Sequence, residues 1–247
     1  MPITKIKSTD GGAPTLNGLP GTLITVLDYC LVTTLGWTKE YSGVNKAVYR
    51  QPVGTNRMYL QVHDDEVVNS KYANVRGFES MSDVDTGTDQ FPTDVQAPAY
   101  YWHKSDANDV DTCDWAFFSN GDIFYLAIAP PSGNSNFLWA FGDAATHIPN
   151  DNWGTVISGT DTATGSTASA DGFNRQELTI ARSYDGLTKS AHGFSNDLSF
   201  ATSQTGNTAL PGIYPSTPSG FIPIKNLKIG TINSTMAAAA LRLTIPG

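Results

Sequence analysis

Three carboxylates alternate with small residues in Asp83-Val-Asp85-Thr-Gly87-Thr-Asp89. Acidic side chains at that spacing, followed by Gly, match the opening of an oxygen-ligand calcium loop. The match is incomplete, because Gly87 takes a carboxylate's place and no Glu follows at the twelfth position. The same residues suit an Asx-rich turn, in which Asp side chains cap nearby backbone N–H groups. The expected reading is therefore that Asp83, Asp85 and Asp89 cap a turn and hold no metal. A second acidic run, Asp106 to Asp114, repeats the words Asp109-Val-Asp111-Thr and has the same explanation.

Four histidines, His63, His103, His147 and His192, stand far apart and never at a paired spacing such as H-x₃-H. Unclustered histidines seldom form zinc or general-base sites. His103, within Tyr100-Tyr-Trp-His103, is expected to pack on aromatics at a strand edge. The nucleophile-elbow, P-loop and dinucleotide-binding glycine motifs are absent from the sequence. Carboxylates are numerous enough for a glycosidase pair, but sequence does not place two at a working separation. Trp37, Trp102, Trp115, Trp139 and Trp153 could line a sugar groove, and more commonly such rings fill a β-core or an interface. No catalytic, cofactor-binding or metal-binding residue is assigned, no cofactor is implied, and a non-enzyme is expected.

Cys30 and Cys113 are the only cysteines. Two are too few for a disulfide framework or a four-thiolate zinc site. Cys30 lies in an apolar run and reads as core. Cys113 sits among Asp109, Asp111 and Asp114, whose charge is expected to raise its pKa and blunt it.

The elements that must position these residues are short. In 247 residues only 15% are charged, below the roughly 25% of an average domain. Thr, Ser, Asn and Gly replace the missing charge, as in loop-rich β-proteins. The net charge of −8 repels phosphate, and no basic run offers an exception, so nucleic-acid binding is disfavoured. No stretch approaches 18 apolar residues, and no apolar core follows the N-terminal lysines, so neither a membrane span nor a standard secretion signal is expected.

Residues 1–21 read as an extended arm with too little apolar surface to fold back, and hence as a contact to a neighbouring chain. Thr22 to Val32 reads as a helix, with Leu23, Val26, Leu27, Cys30 and Leu31 on one face. Trp37–Tyr41, Lys46–Arg50, Arg57–Val62 and Tyr72–Met81 then read as strands. The strongest local signal is a hairpin, Trp115–Phe118 and Ile123–Ile128 around Asn120-Gly121. Asn-Gly there tolerates positive φ at both central turn positions. Phe137–Phe141 and Glu177–Arg182 read as further strands. Residues 158–172 are low-complexity, a long loop or the one plausible linker. Residues 183–220 read as loop-rich, and Ile222–Ile245 holds two or three short strands. The expected fold is mainly β: an antiparallel sandwich or barrel-like domain over residues 22–247, with one N-terminal helix and long loops.

Gly36-Trp-Thr-Lys-Glu-Tyr-Ser-Gly-Val-Asn-Lys-Ala-Val-Tyr-Arg50 resembles a family of tailed-phage virion structural proteins. Further matching pieces are Val75-Arg-Gly-Phe-Glu-Ser-Met-Ser-Asp-Val-Asp-Thr-Gly-Thr88, Phe91-Pro92, Tyr101-Trp-His-Lys-Ser105, Phe141-Gly-Asp143 and Leu210-Pro-Gly-Ile-Tyr214. The resemblance spans about Leu23 to Tyr214. It implies a virion location, on the head as decoration, vertex or turret, or on the tail. The implied partners are other virion proteins, major capsid or tail, and further copies of the chain in a homo-oligomer. It brings no catalytic residue. The rival expectation is a virion-borne carbohydrate-binding or carbohydrate-cleaving module, which needs a cleft where tryptophans meet paired carboxylates.

Overall fold

The computed structural model describes residues 3–94, 99–132, 137–143 and 155–159, and the backbone of two further strands, Leu178–Tyr184 and Lys189–Ser195. The fold is mainly β. In chain order the elements are β1 (Thr4–Lys7), α1 (Thr22–Leu27), β2 (Thr38–Gly43), β3 (Lys46–Arg50), β4 (Tyr59–His63) and β5 (Tyr72–Phe78). There follow β6 (Ser80–Asp83), β7 (Thr86–Thr88), β8 (Tyr101–His103), β9 (Asp114–Ser119) and β10 (Ile123–Ala129). The last are β11 (Phe137–Asp143), β12 (Thr155–Gly159), β13 (Leu178–Tyr184) and β14 (Lys189–Ser195).

The described strands form three antiparallel sheets. One runs β1-β9-β10-β11-β12-β13-β14, a second β2-β3-β4-β5-β8, and β6-β7 is a separate hairpin. Neither large sheet closes on itself among the described strands. Alternation decides which faces meet. Ala47, Tyr49, Leu60, Val62, Ala73 and Val75 point inward from the second sheet. Phe117, Phe124, Leu126, Trp139, Phe141 and Ile157 answer them from the first. Trp102 crosses between the layers, edge-on to Phe124 with centroids 6.0 Å apart and stacked on Trp139 at 6.4 Å. The two sheets thus pack as a sandwich around a core rich in rings.

The helix seals one side. Leu23, Val26, Leu27, Cys30 and Leu31 are fully buried, the five positions that periodicity singles out. Regular α-helix nevertheless ends at Leu27, and Asp28–Thr34 continues in wider π-helical turns. The widening starts where the Tyr49 hydroxyl reaches the Ile24 carbonyl (3.2 Å) and the Asp28 carboxylate (2.9 Å).

Several expectations change. The N-terminal segment is extended, but it lies on its own domain. β1 pairs with β9 in register Thr4↔Ser119 to Lys7↔Ala116, Leu16 bridges to Cys113, and the Trp115 indole donates to the Pro14 carbonyl (3.1 Å). Ile6 and Leu16, both buried, supply the apolar anchors that composition alone understated. The Asn120-Gly121 turn has positive φ only at Gly121. Asn120 instead turns its Oδ1 inward to accept the N–H groups of Asp122 and Ile123, each at 3.1 Å. Tyr72–Met81 is two strands rather than one, split at Glu79. β14 falls inside the stretch read as loop-rich. β12 and β13, which flank the low-complexity stretch, are neighbours in one sheet, so that stretch is no linker between sheets. Ser158 and Gly159 belong to β12 itself. The strands expected within Ile222–Ile245 lie outside the described residues.

Candidate functional site

The acidic hairpin is the first place to look. β6 and β7 lie over the outer face of the second sheet, where Met81 and Val84 join Val48, Tyr59 and Phe78 in a small buried cluster. Gln61, projecting outward from β4, donates to the Val84 carbonyl (2.8 Å), and the Tyr41 hydroxyl donates to that of Met81 (3.2 Å). The carboxylates then divide. Asp83 accepts the N–H of Val84, the capping role expected of it. Asp85 does something else. It reaches across to Lys46 (2.9 Å) and His63 (3.2 Å), and Lys46 also approaches Asp65 (3.5 Å). The Lys46 hydrogen bond holds the Asp85 carboxyl below its ordinary range, and Asp85 in turn raises Lys46. Burial, followed by the Lys46 charge, lowers the His63 imidazole despite the nearby carboxylates. Asp89 takes a positive φ of 55°. Among the described residues no group of three His, Cys, Asp or Glu side chains converges in a way that could hold a metal ion.

A second charged pair is buried. Lys104 and Asp64, whose side chains are 0% and 1% exposed, form an ion pair beneath the start of the helix. Lys104 also donates to the Leu19 carbonyl and approaches the Thr22 hydroxyl (3.5 Å). Asp64 accepts the N–H of Leu23 at 2.9 Å, a helix cap supplied from 41 residues away. Its own carbonyl takes the Gly21 N–H (2.9 Å), and its N–H donates to the Asn45 carbonyl (2.8 Å). One residue therefore joins the arm, the helix and two strand ends. Burial pushes the Asp64 carboxyl up to about 6, although Lys104 and the Leu23 N–H both pull it down. Burial likewise lowers Lys104 against the attraction of Asp64.

A third polar group ties the sheets together. Asp143, at the end of β11, accepts from the Gln51 side chain (2.8 Å) and the Asn56 N–H (2.8 Å), with the Thr155 hydroxyl at 3.3 Å. Gln51 returns its carbonyl to the Met58 N–H (3.0 Å). Desolvation raises the Asp143 carboxyl, and these donors oppose the rise. Just before it, Gly142 adopts φ 145°, and a Cβ there would be driven into Ile123.

The aromatic run behaves as expected of His103. Its ring stacks on Phe137 (5.3 Å) and lies against Tyr72 (5.5 Å), on β8 at the edge of its sheet. Tyr100 donates to the Ile157 carbonyl (3.2 Å), and the Trp139 indole donates to that of His103 (2.7 Å). Trp37, Trp102, Trp115 and Trp139 are all buried in the core, so none of the four lines a groove. Trp153 and His147 lie outside the described residues, as does the side chain of His192. Both cysteines are free and buried. Burial pushes the Cys30 thiol up to about 12. Cys113 is raised first by burial, with Asp106, Asp109 and Asp114 adding to it, so the acidic neighbours are the lesser cause.

In each cluster the carboxylates serve as structural acceptors, taking hydrogen bonds from backbone N–H groups, amides or lysines. Sequence reasoning passed over Asp64, Lys104, Gln51 and Asp143 as a set. Separations of 40 and 92 residues carry no local signal, and only the antiparallel pairing brings them together. Comparison with protein-family models, curated proteins and solved structures finds no match for this chain.

Proposed function

We propose that the chain is a structural component of a tailed-phage virion that works by assembly, on the head as decoration, vertex or turret, or on the tail. The reading rests on the segments that carry the resemblance, Gly36–Arg50, Val75–Thr88, Tyr101–Ser105 and Phe141–Asp143. Their residues serve architecture. Gly77 leaves room for the Phe91 ring, Trp102 and Phe141 fill the space between sheets, Lys104 locks the helix, and Asp143 ties β11 to the β3–β4 connection. Side chains so used specify a rigid block, which suits a subunit that must present fixed surfaces to neighbours. The low charge fits surface buried on assembly, and repeated symmetric contacts would make it a homo-oligomer beside major capsid or tail proteins.

The carbohydrate module is less well supported, since four of its five tryptophans are occupied in the core. The test is to look for the chain in purified particles by mass spectrometry and to locate it by labelled-antibody electron microscopy. Regular labelling at one particle position is the expected result. Absence of the chain from particles, with unchanged assembly when its gene is deleted, overturns the proposal.

A further inference from the structure

Among the described residues five large apolar side chains stand well out in solvent: Val44, Val53, Val67, Val68 and Val110. Single exposed apolar residues are ordinary. Four of these, however, sit on three loops that are bonded to one another. Val44 lies in the β2–β3 turn, Val67 and Val68 in the β4–β5 loop, and Val110 in the β8–β9 loop. The Asp64 N–H donates to the Asn45 carbonyl, joining the first loop to the second. The Asn108 amide donates to the Val68 carbonyl and accepts the Lys71 N–H, both at 2.9 Å, joining the second to the third. From the arm, Gly18 donates to the Asp109 carbonyl at 3.0 Å. Beneath them lies the buried Lys104–Asp64 pair. The loops are therefore held in place, and valine has few rotamers to lose.

We infer that this loop end is a docking surface for another protein that presents an apolar patch ringed by lysine or arginine. The apolar part is the set of valines, 67–86% exposed where a polar side chain would be the neutral choice. The charge identifies the occupant. Glu66, Asp109 and Asp111 flank the valines in sequence, Asp106 stands on the same loop as Val110, and Asp65 beside them is already paired with Lys46. Against them the three loops carry only Lys71 besides the buried Lys104, and Lys46, at the end of the first turn, is engaged by Asp65 and Asp85. An acidic rim attracts a cationic partner and speeds its approach. It also repels nucleic acid and a second copy docked through the same face, which would set acid against acid. Fixed loops reduce the ordering cost of binding. The inference stands apart from the virion reading, because neither the loops nor the test depends on it.

The probe is a designed amphipathic helix with leucines on one face and lysines on the other, set against a scrambled peptide of equal composition. Hydrogen exchange on the full chain should show protection in residues 64–71 and 106–112 with the designed peptide and little with the scrambled one. Val67→Ser with Val68→Ser keeps every charge and should weaken binding about tenfold or more, the loss expected for two desolvated valines. Val110→Ser, on a separate loop, should weaken it in the same direction. Protection centred elsewhere, or unchanged affinity in both variants, overturns the inference. So does concentration-dependent self-association of the wild type that the double variant abolishes, since a second copy would then be the occupant.

Discussion

Two lysine–aspartate pairs in this molecule have the same chemistry and opposite circumstances. Lys104–Asp64 is shut away beneath the helix, while in Lys46–Asp85 the side chains are 25% and 56% exposed. The carboxyl pKa moves in opposite directions: up for Asp64, where burial dominates, and down for Asp85, where the Lys46 hydrogen bond does. A partner is present in both, so pairing alone does not set the sign. What differs is the water each carboxylate has lost. The buried pair is costly to desolvate and is held by additional bonds from Leu23, Leu19 and Thr22. The exposed pair gives up little hydration and receives little in return.

Breaking the buried pair should have the largest effect. Lys104→Ala strands a buried carboxylate with the Leu23 N–H as its remaining side-chain partner and leaves the Leu19 carbonyl without that donor. We expect a loss of about 3–5 kcal/mol in chemical denaturation at neutral pH, the usual cost of orphaning one member of a buried pair. Replacing both, as Asp64→Asn with Lys104→Met, should recover much of it. A double variant as unstable as the single one would show that packing, not charge, carries the effect.

The inter-sheet carboxylate comes next. Asp143→Ala leaves the Asn56 N–H without that acceptor and the Gln51 amide with only the longer contact to the Asp122 carbonyl (3.4 Å), and should cost about 1–3 kcal/mol, the penalty for buried donors left poorly paired. Asp143→Asn keeps an acceptor oxygen and should lose less. Equal losses would mean that the negative charge itself is required.

How much of this was legible follows the range of the interaction. The helix face, strand β3 with its bounds at Lys46 and Arg50, and the Asn120-Gly121 hairpin depend on neighbours in sequence, and periodicity reveals them. β1 went unread because Thr-Lys-Ile-Lys has one apolar residue, and its stability comes from the ladder to β9, over a hundred residues away. β14 went unread because Lys-Ser-Ala-His-Gly-Phe-Ser lacks β-branched alternation and is specified by pairing with β13. The acidic hairpin was only half legible. A local rule gives Asp83 its capping role, but nothing near Asp85 points to Lys46, 39 residues earlier. The exposed valines did leave a trace. Val67-Val68 are adjacent, so both cannot face one side of a strand, and they interrupt an otherwise polar stretch.

The pH dependence of Asp64 sharpens the comparison further. Its folded pKa of about 6 lies above the ordinary 3.8, so folding takes up a proton between those values. Its contribution to stability is therefore fully present below 3.8 and is lost as the pH rises through about 6. Asp64→Asn does not titrate. The stability of wild type relative to Asp64→Asn should fall across that window, and a rise would mean that Lys104 outweighs burial. By the same logic Lys104→Ala should be less damaging at pH 5 than at neutral pH, because the orphaned carboxyl can then be neutral.

The smallest effect should come from the exposed pair, and its smallness is the informative part. Lys46→Met keeps the aliphatic stem over the sheet and removes the charge facing Asp85 and Asp65. Exposed ion pairs contribute roughly 0.2–1 kcal/mol, and added salt screens them. The folded Asp85 carboxyl is depressed by Lys46, so its share of stability is present above the ordinary carboxylate range and is lost on acidification. Removing Lys46 should flatten that acid limb slightly and leave the neutral-pH midpoint almost unchanged. The hairpin should stay in place, since Gln61 and Tyr41 hold its backbone and Met81 and Val84 its apolar side. Hydrogen exchange at Val84 and its neighbours is the measurement that decides. Unchanged protection would assign the hairpin's position to packing and neutral hydrogen bonds. A large loss would mean that the surface pair does as much here as the buried one does beneath the helix, and the contrast between them would collapse.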